Sequence, residues 1–170
     1  INPPGAASDP TVNTTNGLLE FSATATNVIA IQAQFPHDWK IGSSINPHIH
    51  WRKKTAGNGN VLWRMQYEFK GIGQDFTNTL TALDSATPAV GTDDGTALRH
   101  LLSSFGSVSM TGYANAGVSI IGIILISRIG GDAADTYAGV AQLLEFDIHY
   151  QKDSLGSRSL YNKDSNTEPS

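Results

Sequence analysis

From Val61 to Phe69 the chain alternates without a break: Val61, Trp63, Met65, Tyr67 and Phe69 on odd positions, Leu62, Arg64, Gln66 and Glu68 between them. A period of two puts the two sets on opposite faces of an extended strand, and a helix cannot separate them this way. This segment must therefore lie on a core with one face and meet water with most of the other. The pattern recurs. In "NVIAIQAQF" Ile29, Ile31, Ala33 and Phe35 share a face opposite Gln32 and Gln34. In "AQLLEFDIHYQ" Leu144, Phe146, Ile148 and Tyr150 are expected inward, with Leu143, Glu145, Asp147 and His149 outward.

Other segments fill in the architecture. "LLEFSAT" reads as a strand joined to the next at Thr26-Asn27, and Pro36 ends that next strand because it lacks an N–H. "PHIHWRKK" and "VLWRMQYEF" flank "TAGNGN", whose residues tolerate positive φ, and the expectation is a β-hairpin. "GVSIIGIILISRI" is β-branched and apolar on both faces, as expected of a central strand buried on each side. "TNTLTAL" suggests a short strand. "TALRHLLSSFGSV" fits a helical stripe of Leu98, Leu101, Leu102 and Phe105, or a strand. Seven or eight such strands and no long helix predict an all-β protein, an antiparallel β-sandwich occupying residues 18–160 as one domain. Residues 1–17, with three of the seven prolines, read as an extended or disordered arm, and residues 161–170 as a polar tail.

Charge narrows the function. Only 15% of residues are charged and the net charge is −4, so no nucleic-acid partner is expected. The one basic cluster, Arg52, Lys53 and Lys54, reads as a solvated strand end. With no cysteine there is no thiol chemistry. The longest apolar run is about half of the roughly 20 residues a membrane helix needs, so no membrane partner is expected. Nor does a basic segment followed by an apolar stretch open the chain, so no signal peptide is read.

Chemistry-bearing residues are few. His48 and His50 leave one face of a strand, and His149 shares a face with Glu145 and Asp147. If these strands pair, the imidazoles and carboxylates converge into a set able to hold zinc or iron, or into a polar lattice satisfying itself. The H-x-H pair is similar to that of cupins, but Arg52, Lys53 and Lys54 stand where a glutamate ligand would follow, and a guanidinium opposes a dication. Asp132 and Asp135 of "GGDAADTYAG" lack the ordered oxygen ligands of a calcium loop and are expected to cap a tight turn. Trp51 and Trp63 are expected in the core or a subunit contact; Trp39, after Pro36, stays open as a sugar-stacking residue. No nucleophile elbow or phosphate loop is present. No catalytic, cofactor-binding or metal-binding residue is assigned, no cofactor is expected, and the chain is not read as an enzyme.

"FPHDWKIGSSINPHIHW", "GNGNVLWRMQYEF" and "ISRIGGDAADTYAGVAQLLEFDIHYQKDSLGSR", in that order, resemble a family of tailed-bacteriophage and prophage virion structural proteins. The similarity spans about residues 18–160; "GSRSLYNK" departs from the family's more acidic ending. The resemblance implies a jelly-roll-like sandwich built into the virion, most simply as a capsid decoration (cement) protein. Its implied partners are copies of itself, as a homotrimer or dimer, and the major capsid protein. Its implied location is the capsid exterior, after synthesis in the bacterial host cytoplasm. A receptor- or glycan-binding fibre, baseplate or neck module, using Trp39 and the loops of Gly71–Gly95, is the alternative, and a cupin-like metal-binding protein the second.

Overall fold

The computed structural model describes residues 8–85, 93–113 and 117–156. The expected 161–170 tail, residues 1–7 of the arm and residues 86–92 of the Gly71–Gly95 stretch lie outside them. Nine strands run through the described residues: β1 (Thr11–Val12), β2 (Leu19–Phe21), β3 (Thr26–Gln34), β4 (Ile45–Lys53), β5 (Trp63–Lys70), β6 (Thr81–Asp84), β7 (His100–Ser104), β8 (Ile121–Ile129) and β9 (Ala141–Tyr150). A single 3₁₀ turn at Thr111–Tyr113 is the helical element among them.

Two antiparallel sheets face each other, one ordered β1-β2-β9-β4-β7 and the other β3-β8-β5-β6. The pairs β2·β9, β3·β8, β4·β7 and β5·β6 are those of one long antiparallel ribbon rolled on itself. That winding is a jelly roll, which buries most strand edges. The all-β sandwich is as the alternation demanded.

The expected β4–β5 hairpin does not form. β4 already has β7 and β9 as neighbours, so no ladder is left for β5, which lies in the opposite sheet. The connection instead crosses the sandwich and bonds to other loops: Lys54 N–H donates to Val140 O, and Gly57 N–H to Gly95 O. Turn residues announced a reversal correctly; they carry no information on whether the chain reverses within a sheet or between sheets.

The inner faces meet in a core rich in aromatics. Trp39, Trp51, Trp63, Phe21, Phe69, Ile49, Met65 and Ile124 are essentially inaccessible, each large side chain contributing about 1.5–3 kcal/mol on burial. Phe21 stands edge-on to Trp63 at 5.0 Å between ring centroids. Four expectations are adjusted here. β8 is central, yet only Gly122, Ile124, Ile126 and Arg128 point inward; Ile121, 44% exposed, with Ile123 and Leu125, lines the outer face. The ambiguous segment becomes strand β7, placing Leu101 in the core. Residues 8–17, read as arm, are tied to the sandwich: β1 pairs with β2, and Val28 N–H donates to Ser8 O. Finally, β9 carries a β-bulge opposite His50/Trp51. Ala141 and Leu143 point inward before it and Phe146, Ile148 and Tyr150 after it, so Leu143 is buried and Leu144 exposed, the reverse of expectation. One inserted residue shifts the phase of a two-residue repeat, which unbroken alternation cannot anticipate.

Candidate functional site

The polar face of the first sheet gathers four of the five histidines. β4 runs between β9 and β7, and the register sets His48 opposite Asp147, His50 opposite Glu145, and Asn46 opposite His149. On the other side Arg52 faces His100. The bulge in β9 is what keeps Glu145, Asp147 and His149 on this face while the start of the strand feeds the core.

Distances within the cluster are short. His48 Nε2 lies 3.1 Å from His50 Nε2 and 3.5 Å from Asp147 Oδ2. His149 Nε2 is 3.5 Å from the same Asp147 oxygen, and its ring centroid is 4.5 Å from that of His48. His50 Nδ1 meets His100 Nε2 at 2.7 Å. His48 is only 6% exposed, whereas His149 stands in solvent. The convergence conditional on strand pairing is realised, and it includes His100, which sequence reasoning missed. Its signal was present: read as a strand, "HLLSS" puts His100 on the polar face and Leu101 in the core.

Tautomers follow from the partners. His48 Nδ1 is 3.3 Å from the backbone carbonyl of Asn46, which can only accept, so the proton sits on Nδ1. His48 Nε2 is thereby turned toward both His50 and the Asp147 carboxylate. Burial first, then the neighbouring His48 and His100, hold His50 below the ordinary imidazole value, against the opposing pull of Glu145 and Asp147. The Arg52 guanidinium is directed elsewhere on the sheet: its Nε donates to Gln142 Oε1 at 2.8 Å, and Gln142 in turn donates to Glu20.

The other groups weighed in the sequence have structural work. The side chains of Arg128 and Asp135 are fully buried and paired through two N–H donors at 2.9 and 2.7 Å; Arg128 also donates to the carbonyls of Phe21, Tyr137 and Gly139. Asp132 caps the turn through Ala134 N–H as expected, whereas Asp135, expected to cap it too, is taken into the Arg128 pair and further accepts from Leu62 N–H. Lys53, expected at a solvated strand end, is inaccessible; its Nζ contacts both Asp93 oxygens at 2.8 Å and sits 4.8 Å from the centre of the Tyr137 ring. Its odd position in β4 sends it inward. Trp39 is 1% exposed and packed on Phe35, leaving no ring face for a sugar.

Among the described residues, the sandwich is open on one side. β2 covers β9 only at residues 141–143, and β3 is the edge of the other sheet. Between them lies a cleft of about 260 Å³ lined by Ile31, Ala33, Phe35, Phe146, Ile148 and Tyr150. Compared with known proteins, the chain matches no protein-family model, no curated protein and no solved structure.

Proposed function

We propose that this chain is a non-enzymatic structural protein of a phage virion, acting as a decoration protein that caps the head shell and bridges neighbouring major capsid subunits. The observation carrying the reading is the fate of the motifs behind the family resemblance. Arg128, Asp135, Tyr137 and Gly139 of "RIGGDAADTYAG" form a buried brace between loops, and the apolar halves of "PHIHW" and "LLEFDIHY" are core strands. Motifs of this kind mark a scaffold. The β9 edge, open among the described residues, beside an apolar cleft supports it further, since unpaired strand edges and apolar grooves are where polypeptides dock. Copies of this chain and the shell subunits are the partners. A low-charge surface can cover a shell without desolvating many ions, and repetition on a symmetric lattice makes weak contacts sufficient.

The glycan-binding alternative loses Trp39 as its anchor. Imaging of intact particles tests the proposal: density for this jelly roll on the head, at a fixed ratio to the major capsid protein, is expected. Density confined to the neck or tail would refute the decoration role, and absence from the particle would refute the virion assignment.

A further inference from the structure

The histidine cluster on the first sheet has the geometry of a ligand set. Zinc held by imidazole and carboxylate at about 2.0–2.2 Å in a tetrahedron requires donor atoms about 3.3–3.6 Å apart. His48 Nε2 to Asp147 Oδ2, at 3.5 Å, is one such edge; His48 Nε2 to His50 Nε2, at 3.1 Å, is a little shorter than one, and the three residues offer donors within 4.8 Å of one another. His149 Nε2, 3.5 Å from Asp147 Oδ2 on the solvent side, lies beside this set of three and is near enough to turn in as a fourth donor.

The surroundings orient the donors as a metal would need. Metal-bound histidines ordinarily give their other ring N–H to an acceptor, which fixes the tautomer. His48 does so to Asn46 O, and His50 Nδ1 has His100 Nε2 at 2.7 Å. His48 Nε2 and Asp147 Oδ2 face each other across 3.5 Å, a separation that one cation bound to both would bridge. The Arg52 charge, the sequence argument against a dication here, is drawn toward Gln142, while Glu145 stands opposite His50.

We propose that His48, His50, Asp147 and His149 form a site for a divalent transition metal of the zinc class, with His100 as the positioning residue for His50. Three imidazoles and one carboxylate select zinc, cobalt, nickel or copper over calcium and magnesium, which prefer all-oxygen shells. The site is on the outer face of the sheet and is independent of the virion role: it would exist on this chain whether or not a shell is its partner.

Equilibrium dialysis of untagged, chelator-stripped protein against zinc chloride, with metal measured by mass spectrometry, tests it. One zinc ion per chain is expected, and a cobalt-loaded sample should show the visible bands of tetrahedral cobalt. Asp147→Asn, which preserves shape, and His149→Gln, at an exposed position, should each weaken binding by more than about 10-fold. His37→Ala, which changes the one histidine outside the cluster, should bind as the parent does. Circular dichroism of each variant separates lost ligands from lost fold. Zinc uptake well below one per chain, or unchanged affinity in either ligand variant, would overturn the site.

Discussion

Two polar clusters in this molecule invite comparison: the Arg128–Asp135 brace and the histidine face around His48. Both join elements distant in sequence, and both mix cationic or basic groups with carboxylates. In the brace every donor of the guanidinium's bonded nitrogens meets a carbonyl or carboxylate, and the pair is sealed from water. On the histidine face the contacts run ring to ring, one imidazole nitrogen stands 3.5 Å from a carboxylate, and His149 reaches into solvent. A closed valence set holds a fold together; an open one has capacity for something else. Residue type alone would not separate the two, since each is a handful of charged or titratable side chains.

The largest effect should come from breaking the closed set. Asp135→Ala leaves the Arg128 charge buried and unpaired, and should cost about 3–5 kcal/mol in urea unfolding. A loss under about 1 kcal/mol would mean that the brace is not what joins its loops. Loading the open set should have the opposite sign. Zinc at a hundredfold excess over its dissociation constant should add about 2.7 kcal/mol to the unfolding free energy, reversibly with EDTA. An equal effect on the Asp147→Asn variant would place that binding elsewhere.

A backbone substitution probes the brace from outside. Gly59 has φ of 112° and packs on Thr136, so a Cβ there would stand 2.6 Å from the Thr136 carbonyl oxygen. Gly59→Ala should lower stability by about 1–3 kcal/mol through strain at the loop holding Asp135 and Tyr137. Thermal unfolding followed by circular dichroism would show it.

Smaller effects test whether closure generalises. The Thr77 backbone N–H, outweighing burial and helped by the Thr77 hydroxyl and Lys70, holds the Glu68 carboxyl below its ordinary value of 4.5. Because the folded-state value is depressed, Glu68 contributes stability that is present above about pH 4.5 and lost as pH falls through the folded-state value. Glu68→Gln should therefore flatten the acid limb of a stability-versus-pH curve and leave its slope above pH 6 unchanged. Arg64 and Asp84, paired across β5 and β6 in solvent, are the control for openness alone. Arg64→Ala should cost less than about 1 kcal/mol, and less still in high salt.

How much of this was legible in the sequence depends on whether local alternation or long-range pairing decided it. The inward faces of β3 and β5 were readable because side-chain period follows from backbone geometry. Trp51 and Trp63 fell into the core for the same reason. The pairing of β4 with β9 rather than β5 was not readable, because a jelly roll joins strands far apart in sequence and neighbouring turns say nothing about which sheet receives the next strand. The phase slip at Leu143–Leu144 needed the bulge. Lys53 was misread because a basic triplet suggested solvent, although its odd position alongside Ile49 and Trp51 already placed it on the inner face. Of the candidate site, His48, His50, Glu145, Asp147 and His149 were readable as facing sets, while His100 was hidden by an ambiguity between strand and helix.

The contrast between a closed brace and an open histidine face can be read directly by long-range ¹H–¹⁵N spectra of the imidazoles during a zinc titration. The expected result is that zinc shifts the Nε2 signals of His48, His50 and His149 while His37 stays in place. Imidazole signals that ignore zinc, or that move for His37 as much as for the cluster, would contradict the account.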